Sequence, residues 1–433
     1  MEPQIQAGAL AGAITPSRHV TLPNNFNWGH LSAEPVRQAK RSEVDDAPVV
    51  RFLQGLLQEA VQRGASDLHL EPMEHQLRVR LRIDGELHEV AQAPGVVKDA
   101  LASRIKVISG LDIAEKRVPQ DGRLKWPIQG GAVDLRISTC PTLFGEKVVI
   151  RVLPGQREHD SLEALGYEPQ DMALLKKAIA QPYGMVLVTG PTGSGKTRSL
   201  YALLHLLNQP GVNIATAEDP SEIVMPGVNQ VNVNDKAGLS FATALRAFLR
   251  QDPDVIMVGE VRDLETADIT FKASQTGHLV LSTLHTNDAP ATLTRLRHMG
   301  VAPFHVASSV MLVTAQRLAR RLCAKCKVPE VLKPDDWQAA GMNDEVIAQA
   351  QTWTIYRPVG CEACYRGFTG RVGLFQVMPI NEAQQALILA QASDLEMAAQ
   401  ARRDGVRTLR EAGLLKVQQG LTSWTEVMAI TKS

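Results

Sequence analysis

Residues 185–207 read MVLVTGPTGSGKTRSLYALLHLL, and this stretch decides the fold of the surrounding domain. An apolar run predicts a short strand, the glycine-rich residues 190–197 predict a loop, and leucines at helical spacing predict a helix. The loop fits the pattern G-x-x-x-x-G-K-[ST] in the strand–loop–helix setting that the pattern requires. In this setting backbone N–H groups turn toward a polyphosphate, and the helix N-terminus adds partial positive charge. The sequence therefore predicts a nucleoside triphosphate site.

The eight loop residues are the predicted phosphate ligands, and two of them have specific side-chain roles. Lys196 reaches the β- and γ-phosphates, and the Thr197 hydroxyl is a ligand for Mg²⁺. A glycine-rich turn with an incidental lysine is the alternative, which the agreement of pattern and context disfavours. The full set is Gly190, Pro191, Thr192, Gly193, Ser194, Gly195, Lys196 and Thr197.

Composition limits the possible functions. The chain has 433 residues, 44% of them hydrophobic, which suits two or three domains with their own cores. Its 46 basic and 46 acidic residues balance, so no overall charge attracts nucleic acid or anionic lipid. The sequence has no apolar run of the roughly 18–20 residues that cross a bilayer, and its first residues lack the basic segment of a secretory signal. We expect a soluble cytosolic protein.

Changes of pattern along the chain predict five segments. Residues 1–47 lack periodicity and predict a flexible tail. Residues 48–153 combine helices with alternating strands, including a hairpin at residues 84–85 and a loop at 117–123, and a polar linker follows at 154–161. In residues 162–380 short apolar strands alternate with helices, which indicates an α/β domain with a mostly parallel sheet. Residues 381–433 predict packed helices.

Two further strands of the α/β domain lead to acids. Residues 213–217 precede Glu218 and Asp219, and residues 255–258 precede Glu260. Because ligands gather at the carboxyl ends of parallel strands, we expect these carboxylates beside the phosphate loop. Acids in such positions orient Mg²⁺ and the attacking water, whereas an ordinary strand-end carboxylate is the alternative.

A fourth strand, predicted at residues 278–286, carries a histidine at its start and another near its end. Hydrogen bonds to phosphate oxygens would make His278 or His285 a sensor of the γ-phosphate. The alternative for each histidine, taken alone, is a structural role.

Four of the five cysteines form two C-x-x-C pairs, Cys323 with Cys326 and Cys361 with Cys364. In a reducing compartment two such pairs can supply four thiolates to a tetrahedral Zn²⁺. The long gap between the pairs leaves four buried thiols as the alternative. The remaining cysteine, Cys140, is expected to pack at a strand end.

Two groups of arginines are interpreted as surface features. Alternation places Arg78, Arg80 and Arg82 on one face of a strand, which a solvated face would explain. Helical spacing of Arg317, Arg320 and Arg321 predicts a solvated helix face or a subunit contact.

Four blocks of this sequence together resemble the signature boxes of the GspE/PilB/PilT secretion and pilus ATPases. Residues 190–197, 217–220, 249–260 and 276–286 match the Walker A, Asp, Walker B and His boxes of that family. The resemblance covers residues 48–380, because it extends through GASDLHLEP at 64–72 and PQDGR at 119–123.

This resemblance implies a PAS-like α+β domain, then a RecA-like P-loop ATPase domain with a small tetracysteine zinc element at 323–364. In box-by-box comparison, Glu218 is the general base on water and Glu260 supports the metal and the water. His278, and also His285, would sense the γ-phosphate. The implied cofactors are ATP, Mg²⁺ and Zn²⁺.

The resemblance also implies how the protein works. Arg136 and Arg151 match family arginines that reach the nucleotide from the first domain and neutralise charge in the transition state. The family forms cytoplasmic homo-hexameric rings that act on a polytopic inner-membrane platform protein, at the periphery of the membrane, and so on pilin or pseudopilin indirectly.

Paired cysteines are typical of the assembly motors of this family and absent from its retraction motors, so we expect assembly of a type IV pilus or type II secretion pseudopilus. The alternatives are a PilT-like retraction motor and a nucleotide-gated scaffold with little hydrolysis. No nucleic-acid partner is expected, because the chain is neutral and lacks an aromatic–basic stacking surface.

Overall fold

The computed structural model describes residues 47–128, 131–153, 161–339, 347–348 and 352–431. These described residues divide into two compact units, with the division between positions 155 and 156. Each unit has its own main sheet and its own hydrophobic core. The predicted tail, apart from Ala47, and the predicted linker, apart from Ser161, lie outside the described residues.

The first unit contains a six-stranded antiparallel sheet with the spatial order β3-β2-β1-β6-β5-β4. Helices α1 (Ala47–Gln62) and α2 (Lys98–Ile108) contribute their apolar faces to the core of this unit. The strands are β1 (Asp67–Pro72), β2 (Gln76–Ile83), β3 (Glu86–Pro94), β4 (Gln120–Ile128), β5 (Gly131–Thr142) and β6 (Gly145–Val152). This α+β arrangement places one face of the sheet against the helices.

Alternation along β2 separates the two faces of this sheet. Leu77, Val79 and Leu81 are buried in the core, and the arginines between them lie on the other face. The β2–β3 hairpin turns at Asp84 and Gly85, with φ angles of 50° and 95°. Both angles are left-handed, as an Asp-Gly hairpin turn requires, and the predicted hairpin is confirmed.

The open face of the sheet carries an ion-pair network. The buried Glu71 carboxylate accepts hydrogen bonds from Arg78 (2.9 Å) and Arg80 (2.7 Å), and the Lys147 ammonium lies 3.1 Å from it. Burial opposes ionisation, but the bonds from Arg80 and Lys147 hold the pKa of Glu71 at about 2. The arginines of β2 therefore belong to a partly buried network and not to a simple solvated face.

The second unit is built on a seven-stranded sheet with the order β15-β12-β7-β11-β10-β8-β9. The six strands from β12 to β9 in this spatial order run parallel to one another: β12, β7, β11, β10, β8 and β9. Strand β15 lies at the edge of the sheet and pairs antiparallel with β12. The strands are β7 (Gly184–Thr189), β8 (Ile214–Glu218), β9 (Asn229–Asn232), β10 (Val255–Val258), β11 (Leu279–Leu284), β12 (Val310–Leu322) and β15 (Phe368–Pro379). Four central strands, β7, β8, β10 and β11, are buried along their whole length, which explains why their sequences are mostly apolar.

Helices cover this sheet, and four of them follow its last strand. They are α3 (Leu162–Leu165), α4 (Pro169–Ile179), α5 (Lys196–Leu207), α6 (Phe241–Phe248), α7 (Leu264–Gln275), α8 (Ala289–His298), α9 (Pro303–Ser309), α10 (Pro334–Ala339), α11 (Glu382–Leu389), α12 (Asp394–Arg403), α13 (Leu409–Gln418) and α14 (Trp424–Ile430). A small two-stranded sheet, β13 (Val328–Glu330) with β14 (Ile355–Arg357), lies between β12 and β15 in sequence. The predicted α/β class is confirmed, and four helices follow β15 in the chain.

Three local predictions are wrong. Arg317, Arg320 and Arg321 lie on strand β12 and not on a helix, because spacings of three and four residues over so short a run do not exclude a strand between β7 and β15. The predicted loop at 117–123 becomes strand β4 from Gln120 onward. Cys140 is exposed, since it lies on the open face of β5, two residues beyond the exposed Ser138.

Candidate functional site

The phosphate loop joins β7 to α5 and needs glycine at its turning points. Gly190 has a φ angle of 146°, and a Cβ there would lie 2.5 Å from the carbonyl oxygen of Gln316. Gly195, with φ 88°, turns the backbone directly into the helix. The buried Ser194 hydroxyl has no hydrogen-bond partner among the described residues. The strand–loop–helix arrangement predicted from the sequence is therefore present, with glycines at the loop positions that have positive φ angles.

The side chain of Lys196 folds back onto the phosphate loop. Its ammonium donates to the carbonyl oxygens of Gly190 (2.8 Å) and Pro191 (3.1 Å). Burial lowers the pKa of Lys196 to about 8; Arg317 lowers it further, and Glu260 raises it. An anion beside this ammonium would restore the charged form, so the site favours a polyphosphate.

The N-terminus of α5 fits the same ligand. Its first turn contains no acidic residue, and the Thr197 side chain is exposed there. Free N–H groups at a helix start, next to a lysine and a threonine hydroxyl, bind phosphate and support a bound Mg²⁺.

Glu218 is the last residue of β8 and is almost fully buried, with 4% of its surface exposed. One carboxylate oxygen, Oε1, accepts from the Thr216 hydroxyl (2.7 Å) and the Gln230 amide (3.0 Å). The other, Oε2, accepts from the Tyr201 hydroxyl (2.5 Å). The carboxylate is thus fixed in position by three donors.

Glu260 follows β10 and lies among charged neighbours. The Arg262 guanidinium, 2.5 Å away, lowers the pKa of the Glu260 carboxyl below its ordinary value. Arg262 also lies 3.6 Å from Asp219, so it bridges the acids that follow β8 and β10. The Nε2 atom of His285 is 3.6 Å from Glu260. Burial, and then the charge of Lys196, lower the pKa of His285, so its imidazole is neutral at neutral pH.

Strand direction explains why these groups meet. Strands β7, β11, β10 and β8 are parallel neighbours, so their carboxyl ends form one edge of the sheet. Lys196, Glu218, Glu260 and His285 all follow or terminate these strands at that edge. We call it the C-terminal edge, and the opposite side the N-terminal edge.

The structure corrects the position predicted for His278. This residue precedes β11, and its carbonyl oxygen accepts from Gly184 at the start of β7. The six residues of β11 then separate His278 from the C-terminal edge by roughly 20 Å. Its Nδ1 atom lies 2.9 Å from the carbonyl oxygen of Ala273, within α7. Within this subunit His278 does not reach the phosphate loop, and His285 is the histidine that does lie at that edge.

Gln316, which the sequence patterns do not single out, braces the phosphate loop from β12. Its side chain is 1% exposed, its amide nitrogen donates to the Ser194 carbonyl (2.7 Å), and its amide oxygen accepts from the Ser199 hydroxyl (2.9 Å). The next residue, Arg317, donates to Asn287 (3.1 Å). A glutamine directly after the mostly apolar residues 310–315 of β12 is the one sequence signal that could have indicated this contact.

The two arginines implied from the first domain lie side by side in the first unit. Arg136 on β5 and Arg151 on β6 are directly opposite in the strand register. The Nε atom of Arg151 donates to Asp67 (3.0 Å). Two like charges in register are unfavourable unless an anion lies near them.

The four paired cysteines converge on one point. All four sulfur atoms lie within 4.8 Å of one another. The sulfur atoms are 3.8 Å apart in Cys323–Cys361, and 3.6 Å apart in both Cys326–Cys364 and Cys361–Cys364. A tetrahedral zinc with Zn–S bonds near 2.3 Å requires separations of about 3.8 Å. Backbone N–H groups of Gly360 and Cys361 donate to two of the sulfurs, as in thiolate metal sites. The donor set fits zinc.

Comparisons with known proteins agree with this geometry. A family described as "Type II/IV secretion system protein" matches residues 42–429. The chain is 52% identical over 392 residues to the type IV pilus assembly ATPase PilB of Pseudomonas aeruginosa, covering 90% of this chain and 69% of that protein. It is 46% identical over 413 residues to type II secretion system protein E of Aeromonas hydrophila, covering 95% and 81%.

Solved structures share the fold. The Legionella pneumophila ATPase DotB aligns with a TM-score of 0.64 and 21% identity, over 92% of this chain and 97% of that one. The pilus retraction motor PilT with bound ADP aligns with a TM-score of 0.58 and 24% identity, over 87% and 96%. In the part of the chain that the structure describes, no helix is long and apolar enough to cross a membrane. The resemblance drawn from the four sequence boxes is confirmed: the chain belongs to the type II/IV secretion system protein family.

Proposed function

We propose that this protein hydrolyses ATP at the C-terminal edge and uses the energy to assemble a type IV pilus or a type II secretion pseudopilus. The observation that carries the proposal is the convergence of a phosphate loop, a buried carboxylate and a second strand-end acid on one edge of a parallel sheet. Relatives named as type IV pilus assembly ATPase and type II secretion system protein support assembly as the process that ATP hydrolysis drives.

In the proposed reaction the loop residues 190–197 hold the phosphates, and the ammonium of Lys196 moves from the loop carbonyls to the β- and γ-phosphates. Glu218 takes a proton from water as the water oxygen bonds to the γ-phosphorus. The bond from that phosphorus to its bridging oxygen breaks, and ADP keeps the electron pair.

Thr197 and Glu260 would hold the Mg²⁺, which neutralises phosphate charge when it is bound. Neutral His285 can donate a hydrogen bond toward a γ-phosphate oxygen.

Arg136 and Arg151 are proposed to supply positive charge to the transition state from the first unit. Their directly opposite positions in the strand register would let both guanidiniums contact one anionic ligand, although Arg151 also pairs with Asp67.

The proposed assembly is a homo-hexameric ring in the cytoplasm, bound to the inner membrane through a polytopic platform protein and acting on pilin or pseudopilin through it. The tetracysteine cluster supports an assembly motor over a PilT-like retraction motor, since that element is typical of the assembly branch. Zn²⁺ is proposed as a structural metal held by the four cysteines.

The zinc proposal is tested by metal content. We expect about one zinc per wild-type chain and none in a Cys326→Ser, Cys361→Ser double variant, with a lower melting temperature. Substitution of the exposed Cys140 by serine is the control and should leave the zinc content unchanged. An unchanged zinc content in the double variant would rule out the assigned ligands.

The motor proposal is tested by measuring ATP turnover per subunit against protein concentration, with the oligomeric state determined in parallel. We expect the specific rate to rise as a hexamer forms. A nucleotide-gated scaffold would bind ATP tightly and show no turnover at any concentration, which would contradict the proposal.

A further inference from the structure

Glu218 has little remaining capacity to accept a hydrogen bond. A carboxylate oxygen accepts about two hydrogen bonds along its lone pairs. Oε1 already accepts from Thr216 and Gln230, so both of its lone pairs are used. Among the side chains of the described residues, Oε2 accepts from Tyr201 alone. The single acceptor position open to a water therefore lies on the oxygen that Tyr201 holds.

Tyr201 is placed to fix the direction of that oxygen. It lies on α5, five residues beyond Lys196, and its ring is 4% exposed. Burial, and then the bond to Glu218, raise the pKa of Tyr201, so the phenol keeps its proton and is the donor. One side chain thus joins the phosphate-loop helix to the carboxylate at the end of β8.

We infer that Tyr201 is a positioning residue for ATP hydrolysis, which aims Oε2 of Glu218 at the attacking water. This inference rests on the proposed function, because it needs Glu218 to act as the base. When the water oxygen bonds to the γ-phosphorus, its proton passes to Oε2 at the free lone pair. The hydrogen bond from Tyr201 stays in place during this step and keeps the second lone pair directed at the water.

The arrangement makes the two carboxylate oxygens unequal. Thr216 is also buried and also donates to Glu218, but its partner is Oε1, which does not receive the proton. Tyr201→Phe and Thr216→Val each remove one buried donor from the same carboxylate and keep nearly the same shape. A purely structural role would give the two variants similar effects, whereas the inferred role makes them differ.

The experiment measures kcat and KM for ATP hydrolysis by the full-length chain and its variants, with binding of a fluorescent ATP analogue and melting curves alongside. We expect Tyr201→Phe to lower kcat by about 10- to 100-fold while KM changes by less than about 3-fold. Thr216→Val should lower kcat by about 3-fold or less. In a Glu218→Asp background, whose shorter carboxylate no longer meets Tyr201, the tyrosine substitution should have little further effect.

Three outcomes overturn the inference while leaving the proposed function intact. One is a Tyr201→Phe enzyme with the kcat of the wild type. The second is a loss of kcat that multiplies fully with the loss caused by Glu218→Asp. The third is a loss of kcat that Thr216→Val matches. Failure of the proposed function has a different signature, because wild-type protein would then show no turnover, or Glu218→Gln would retain it.

Discussion

The C-terminal edge and the N-terminal edge of the seven-stranded sheet differ in what their polar groups contact. At the C-terminal edge Lys196 folds back on loop carbonyls, and Glu260 and His285 lie close together without strong mutual bonding. At the N-terminal edge His278 is bonded within its own helix–strand connection. One histidine directly precedes β11 and another directly follows it, so residue type alone does not tell which histidine lies near the phosphate loop. Strand direction does, because only the carboxyl ends of parallel strands face the phosphate loop.

The largest expected difference between the edges involves their lysines. Lys196→Ala should reduce ATP turnover by at least about 10³-fold, because it removes a cation from the phosphates. Lys272→Ala removes a lysine from the last turn of α7, near the N-terminal edge, and should leave turnover within about 2-fold. Steady-state phosphate release from both variants measures this difference. Equal losses of ATP turnover in the two variants would contradict the assignment of the phosphate site to the C-terminal edge.

The pH dependence of ATP binding tests whether the charged form of Lys196 contacts the bound phosphates. In the free protein the pKa of Lys196 is about 8, and a bound polyphosphate favours its charged form. Below pH 8 the lysine is already protonated, so affinity should be nearly constant. Above pH 8 binding must take up a proton, so affinity should fall, by about 10-fold at pH 9. Isothermal titration calorimetry measures this, and Lys196→Arg should show no such fall, since arginine stays charged.

The two histidines that flank β11, His278 and His285, provide a matched pair of substitutions. His285→Ala should lower kcat by about 5- to 10-fold, because it removes a neutral donor beside Glu260. His278→Ala should change kcat by less than about 2-fold for catalysis within one subunit. Steady-state kinetics at saturating ATP compare the two. A larger effect of His278→Ala would show that this residue reaches nucleotide in some other way, and would refute the assignment of His285.

Two buried glutamines give the smallest expected effect. Gln316→Leu should raise KM for ATP by about 3- to 5-fold, since the phosphate loop loses the brace at Ser194. Gln376 lies beside β12 on β15 and accepts from the backbone N–H of Ala289, at the start of α8. Gln376→Leu should therefore affect melting temperature more than KM. The opposite pattern in kinetics and melting curves would contradict the role given to Gln316.

Much of the fold follows from local signals. The phosphate loop, the Asp84-Gly85 hairpin and the strands before Glu218 and Glu260 all have patterns within about ten residues of sequence. The cysteine pairs likewise predict their own convergence, which the structure shows. These features depend on turns, periods and spacings that a single stretch of chain contains.

The remaining features depend on contacts between distant residues. Tyr201 meets Glu218 across 17 residues, and Gln316 meets Ser194 across 122 residues. Neither contact has a local pattern. The position of His278 needs the register of β11 against β7, and the strand that carries Arg317 is decided by its neighbours β7 and β15. Pairing of strands, and not composition, determines which side chains meet at the site.

The role of Glu218 is tested most directly by steady-state phosphate release from wild-type protein and from Glu218→Gln, with ATP affinity measured for both. We expect the variant to bind ATP within about 3-fold of the wild-type affinity while its turnover falls by at least about 100-fold. A Glu218→Gln variant that hydrolyses ATP at the wild-type rate would contradict the assignment of Glu218 as the base at the C-terminal edge.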